Sequence, residues 1–127
     1  MNEKVTHWLN IADYDMETAH AMLQTKRYLY VGFMCQQVIE KALKAVIAAK
    51  DTTPPKIHRL RKLAELSNIY ETLTDGQQDL LNTLSSLYLN SRYEQQKLEL
   101  AASLSPDKCE KILSETEDLL CWIKQQL

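Results

Sequence analysis

Apolar residues recur every three or four positions along most of the chain, which is the spacing of one face of an α-helix. The first run predicts a helix over about residues 3–24, and its apolar positions are Val5, Trp8, Leu9, Ala12, Met16, Ala19 and Leu23. A polar interruption at residues 24–27 permits a reversal of the chain. The second run predicts a long helix from Tyr30 to Ala49, with an end rich in alanine and lysine, which both favour helix.

Prolines and capping residues divide the rest of the chain into shorter helices. Consecutive prolines cannot continue a helix, so residues 51–55 should form a connector, and the leucines that follow predict a third helix from Leu60 to Tyr70. Thr74 and Gln77 have the spacing of a capping box and predict the start of a fourth helix. Ser105 before Pro106 predicts the start of a fifth, through Ile123.

The polar stretch at residues 90–104 is longer than a bundle connection usually is. It is either a functional loop or in part a continued helix. No strand-like alternation is present, so we predict an all-α protein, an up-and-down bundle of four to five helices in a single domain over residues 1–127.

Composition excludes several classes of function. The 127 residues contain only two glycines, which argues against turn-rich β folds and Gly-rich phosphate loops. The chain has neither the apolar run of a signal peptide nor that of a membrane span, so we expect a cytoplasmic protein without membrane contact. The three cysteines are odd in number and share no CxxC spacing, which predicts buried free thiols.

Complete catalytic and metal-binding motifs are missing. His7, His20 and His58 form no HExxH or HxH arrangement, so we expect neither a metal nor another cofactor. The serines lack a GxSxG elbow. Binding to a partner is therefore favoured over catalysis.

Polar residues interrupt the apolar face of the second helix between residues 33 and 45. Glu40 and Lys44 are four residues apart in the order that supports an isolated helix. Alternatively, Gln37, Lys41 and Lys44 face another subunit or a phosphate-bearing ligand, where ammonium groups act as point charges.

These residues belong to a longer pattern that resembles the HEPN domain, the higher eukaryotic and prokaryotic nucleotide-binding family. The pattern covers nearly the whole chain. Its parts, in chain order, are Trp8, Ala12-Asp13, Tyr28, Phe33-x-Cys35-Gln36-Gln37-x-x-Glu40-Lys41-x-x-Lys44-Ala45, Pro55-x-x-His58-x-Leu60 and Ser91-Arg92-Tyr93. The QQ-x-x-EK-x-x-KA segment and the later Arg-Tyr pair are specific when they occur together.

The resemblance implies a helical bundle that forms homodimers and is often encoded beside a minimal nucleotidyltransferase. Some such pairs are toxin and antitoxin, in which the HEPN member cuts RNA with an arginine followed, after four to six residues, by a histidine. After Arg92 those positions hold Lys97, Leu98 and Glu99, and lysine is a poor proton shuttle at neutral pH. The ribonuclease motif is therefore absent, and we lean against an enzyme.

The resemblance also singles out His58, which matches the family's histidine at the start of the third helix. One alternative is structural: His58 caps the helix or packs beneath a loop. In the other, it joins Arg59, Arg61 and Lys62 in an anion site at the start of the helix. Tyr93 either buries its ring or is available to a ligand. Arg92 either binds phosphate or pairs with a carboxylate such as Glu40.

We therefore predict an accessory protein that dimerises, partners a minimal nucleotidyltransferase in a toxin–antitoxin-like pair, and binds nucleotide or RNA. The candidate phosphate-binding residues are Lys41, Lys44, His58, Arg92 and Tyr93. One alternative is a metal-independent ribonuclease in which His58 meets Arg92 across a dimer interface, which makes these two residues the catalytic candidates. The other alternative is a plain dimeric scaffold that binds no nucleotide.

Overall fold

Six α-helices and a short 3₁₀ turn form the part of the chain that the computed structural model describes, which is residues 2–127 apart from the side chain of Glu94. No strand occurs within those residues. The elements are α1 (Glu3–Gln24), α2 (Tyr28–Ala48), α3 (Leu60–Leu66), the 3₁₀ turn (Tyr70–Thr72), α4 (Asp75–Asn90), α5 (Glu94–Ser103) and α6 (Pro106–Gln125). The predicted all-α bundle is confirmed.

Local capping sets several helix ends. The Thr74 hydroxyl accepts a hydrogen bond from the Gln77 backbone N–H (3.1 Å), while the Gln77 side chain accepts from the Thr74 backbone N–H (2.9 Å). This is the predicted capping box. Ser105 caps α6 by accepting from the Lys108 backbone N–H at 3.2 Å. These bonds satisfy donors that the first turn of a helix leaves free, so the two boundaries could be predicted from sequence.

α2 is the central helix, and each of the other five helices contacts it. Fourteen of its 21 residues are buried, far more than one amphipathic face requires. Polar residues of α2 are therefore enclosed along with apolar ones, and they must find partners inside the protein. None of the described helices is both long enough and apolar enough to span a membrane.

α2 and α4 approach each other closely at Gly32. A Cβ atom added at this glycine would lie 2.7 Å from Leu87 Cδ1 and 3.1 Å from Leu87 Cβ. Glycine therefore allows α4 to lie against α2. Tyr88, the residue after Leu87, then contacts Phe33 near the start of α2.

The sequence left open whether residues 90–104 form a loop or partly a helix. The structure has an additional helix there, α5, at residues 94–103. Leu100 and Leu104 pack against the core, whereas Leu98 is 72% exposed. The sequence signal was weak because α5 is short and has little separation of apolar and polar faces.

The prediction of buried thiols is correct for two of the three cysteines. Cys35 and Cys109 are buried, and burial raises the pKa of Cys35 to about 12 and also raises that of Cys109. Cys121 is exposed, so the prediction is wrong there. On α6 the core side is taken by Leu120 and Ile123, and position 121 is turned away from it.

Candidate functional site

A fully buried carboxylate, Glu40, lies at the centre of a polar cluster on α2. Its Oε1 atom accepts hydrogen bonds from Gln36 Nε2 (3.1 Å) and His58 Nδ1 (2.9 Å). Its Oε2 atom accepts from Lys41 Nζ (3.0 Å) and Lys44 Nζ (3.1 Å). Gln36, Glu40 and Lys44 are four residues apart, which puts all three on one face of the helix. Each carboxylate oxygen thus has two donors.

The cluster holds Glu40 in its ionised form. Burial raises the pKa of this carboxyl, but hydrogen bonds from Gln36, Lys41 and His58, together with the charge of Lys41, outweigh burial and lower the pKa below its ordinary value. Asp15 of α1 is a neighbour of the cluster. Burial raises the pKa of Asp15, Lys41 lowers it, and Glu40 raises it, with a net increase.

The two candidate lysines are bound to this carboxylate. The Lys44 side chain is only 7% exposed, and its ammonium group also lies 5.6 Å from the centre of the Trp8 ring. Lys41 is more accessible and additionally donates to Gln37 Oε1 at 3.3 Å. The simple pairing of Glu40 with Lys44 is therefore present, and of the two lysines Lys41 has the better access to a ligand.

His58 is held by the same cluster and is not a helix cap. The N-cap of α3 is Arg59, which makes no side-chain capping bond. Gln36 Nε2 donates to the His58 backbone carbonyl at 3.0 Å, so Gln36 secures the backbone while Glu40 secures the ring. An ionised carboxylate only accepts, so Nδ1 of His58 carries a proton, and Nε2 has no hydrogen-bond partner among the side chains that the structure describes. The side chain is 52% exposed.

Tyr88 of α4 contacts both His58 and Arg92 within one chain. The His58 ring is centred 5.7 Å from the Tyr88 ring, and the Arg92 guanidinium carbon lies 5.4 Å from the centre of that ring. Phe33 of α2 stacks on the same ring, with centroids 5.3 Å apart. Arg92 thus packs on Tyr88, while Glu40 takes its four hydrogen bonds from other residues.

Two further predictions about this region are corrected. Tyr93 is 56% exposed, so the alternative in which it buries its ring is wrong. Arg61 does not join His58, because its guanidinium lies 4.8 Å from the centre of the Tyr70 ring and its Nε is 3.9 Å from Glu65 Oε2. Arg61 therefore takes no part in an anion site with His58, whereas the participation of Arg59 and Lys62 stays a prediction.

Sequence reasoning missed the roles of Gln36, Phe33 and Tyr88. It gave Gln36 no partner and gave Phe33 and Tyr88 no contact with a site. One signal was available for the cluster. Gln36, Glu40 and Lys44 are polar residues spaced by four within an otherwise apolar stretch, which indicates that their side chains hydrogen-bond to one another on a buried face. Nothing local indicated Tyr88, because its neighbours come from distant segments.

These features define a helical domain whose central helix carries a buried charge cluster, with a histidine and an arginine on a shared tyrosine beside it. The chain belongs to the HEPN domain family, whose sequence model matches residues 5–126. The fold is similar to that in the crystal structure of TT1696 from Thermus thermophilus, with a TM-score of 0.82 and 20% identity over 99% of this chain and 100% of that one. Comparison with curated protein sequences gives no match.

Proposed function

We propose that this HEPN protein is a single-domain accessory protein that forms a homodimer, partners a minimal nucleotidyltransferase, and binds the phosphate groups of a nucleotide or RNA. The observation that carries the proposal is the placement of His58 and Arg92 on the Tyr88 ring, both accessible to solvent. Arginine binds phosphate with a planar set of donors, and a histidine beside it adds a further donor or acceptor. Lys41 binds the other oxygen of the Glu40 carboxylate that holds His58, and we include it in the proposed site.

Loss of Arg92 is expected to weaken nucleotide binding about tenfold or more, which is the effect of removing one charge-assisted hydrogen bond. Calorimetry with ATP and GTP at two salt concentrations measures the affinity. Added salt should lower the affinity of the unsubstituted protein, because it screens the charge of Arg92. Lys111→Ala is the matched control, since it also removes one exposed positive charge, on α6. Unchanged affinity in Arg92→Ala would contradict the proposed site, and no binding by the parent would favour the plain scaffold.

The assembly is tested separately. Sedimentation at tens of micromolar should give about twice the mass of the 14.7 kDa chain, and a strictly monomeric mass would count against the dimer. A short nucleotidyltransferase encoded in the adjacent reading frame, with Gly-Ser followed by paired aspartates, should co-purify with the chain. If the adjacent reading frame encodes another class of protein, the proposed nucleotidyltransferase partner is contradicted.

A second candidate function is metal-independent RNA cleavage, and the Glu40–His58 pair favours it. The carboxylate keeps the proton on Nδ1, so Nε2 would take the proton of a ribose 2′-hydroxyl as its oxygen bonds to the adjacent phosphorus. The bond from phosphorus to the 5′-oxygen would break, the imidazolium would return the proton to that departing oxygen, and Arg92 would stabilise the phosphate charge. This arrangement would need no histidine after Arg92.

RNA cleavage, if present, should be abolished by His58→Ala and retained in His7→Ala, which removes an exposed histidine of α1. The assay uses single-stranded and structured RNA in the presence of a metal chelator. Absence of cleavage by the parent under all these conditions would exclude this candidate and leave the binding proposal standing.

A further inference from the structure

A groove of about 730 Å³ lies between α4 and α6 and is also lined by the end of α5. α4 and α6 both pack mainly on α2 and touch each other little, which leaves the groove open between them. Its apolar lining consists of Leu80, Leu87, Leu100, Leu104, Ile112 and Leu119. Leu100, Leu104 and Ile112 are only partly buried, so an occupant of the groove would cover apolar surface that now faces water.

Two charges of opposite sign lie on the α6 side of the groove. Lys108 and Asp118 line it and are exposed, and neither makes an ion pair with a residue that the structure describes. Their positions are about 15 Å apart along the helix axis. Lys111 and Glu115, which come between them, already pair with each other, with 3.9 Å between Nζ and Oε1. The groove is therefore positive near the start of α6 and negative further along that helix.

A second copy of this chain fits this distribution of charge. An occupant that pairs with both residues must carry an acidic and a basic group at the same separation but in the opposite order. α6 of a second copy does so when a two-fold axis crosses the helix midway between Lys108 and Asp118, because the two α6 helices then run antiparallel. Lys108 of each copy would then face Asp118 of the other, and the partly buried apolar residues of both grooves would be covered.

We propose that the groove between α4 and α6 is the homodimer interface, occupied by a second copy of this chain with its α6 antiparallel to the first. This inference rests on the homodimer in the proposed function and gives it a location. Burial of the apolar lining supplies affinity, and the two Lys108–Asp118 pairs set the orientation, because like charges placed opposite each other are strongly unfavourable. No residue of the proposed phosphate site lines the groove, so each copy would hold a complete site of its own.

A charge swap measured by sedimentation equilibrium tests this interface. Lys108→Glu would place two carboxylates opposite each other at both ends of the dimer, and Asp118→Lys would place two ammonium groups there. Each variant alone should therefore raise the dimer dissociation constant about tenfold or more. An equimolar mixture of the two variants should form a heterodimer with nearly the affinity of the unsubstituted protein, because each carboxylate then faces an ammonium group of the other chain.

Matched controls separate the interface from general effects of charge. Glu110→Lys reverses an exposed charge on the same helix, but Glu110 does not line the groove, so the dimer dissociation constant should be unchanged. Lys4→Glu makes the opposite reversal on the exposed surface of α1 and should also leave it unchanged. Circular dichroism establishes that each variant is folded, which is expected because Lys108 and Asp118 are on the surface.

The outcomes distinguish this inference from the proposed homodimer itself. If the unsubstituted protein is a dimer and Lys108→Glu and Asp118→Lys dissociate no more readily than the controls, the groove is overturned as the interface and the homodimer stands. If both variants are weakened but their mixture is not restored, the antiparallel two-fold arrangement is also overturned. If the unsubstituted protein is strictly monomeric, the groove interface and the proposed homodimer both fall.

Discussion

Glu40→Ala is expected to lower the free energy of unfolding by about 3–5 kcal/mol at pH 7, the cost of leaving a buried charge without its partner. The substitution removes the acceptor of two ammonium groups, and Lys44 has almost no access to water that could replace it. It also frees the His58 ring and leaves the Gln36 amide short of one acceptor. Urea denaturation followed by circular dichroism measures the change.

Two variants make this result specific. Glu65→Ala removes an exposed carboxylate that lies 3.9 Å from Arg61 and should change the free energy of unfolding by well under 1 kcal/mol. Glu40→Gln keeps the shape of the side chain and should fall between the parent and Glu40→Ala. A loss below 1 kcal/mol in Glu40→Ala would show that the cluster contributes little to stability.

The contribution of Glu40 to the free energy of unfolding also depends on pH. Because the pKa of Glu40 is lower in the folded protein than its ordinary value of 4.5, the folded state favours the ionised form. Its stabilisation is thus complete above about pH 4.5 and is lost as the pH falls through the lowered pKa. The difference in stability between the parent and Glu40→Gln should accordingly shrink in acid.

Gly32→Val is expected to lower the free energy of unfolding by about 3 kcal/mol, the upper part of the range for overpacking a core. Its Cβ atom would lie 2.7 Å from Leu87 Cδ1 and 3.1 Å from Leu87 Cβ, so the Leu87 side chain must move and, with the two added methyl groups, α4 must shift from α2. Thermal or urea denaturation measures the loss. Because Tyr88 follows Leu87, the shift should also weaken ligand binding at the proposed phosphate site.

Gly76→Ala is the matched control for this prediction. A Cβ atom at Gly76 would have its nearest contact at 3.9 Å, the Thr74 hydroxyl oxygen, so it fits without displacement. Alanine is the better helix former, and a gain of about 0.5–1 kcal/mol is expected. Equal stabilities for Gly32→Val and the parent would mean that α4 can move away from α2 at no cost.

The amino-acid sequence was sufficient for the elements whose signals are local. The first helix was predicted within a residue of its observed bounds, and the capping box and the Ser-Pro pair located the starts of α4 and α6. Such signals act between residues no more than about four apart, so they are visible in a linear chain. The family was recognisable for a related reason, because its motifs have characteristic spacing.

The tertiary structure alone decided which polar and aromatic residues from distant segments meet. His58 reaches Glu40 from 18 residues away, and Tyr88 contacts Phe33 of a different helix. Both contacts require α2 to be enclosed by its neighbours and α4 to lie against Gly32. Periodicity fixes which residues share a face of one helix, but it does not say which helix packs there or in what register. The charge cluster and the contacts of His58 and Arg92 with Tyr88 depend on that packing, whereas the helices that carry them could be predicted from the chain.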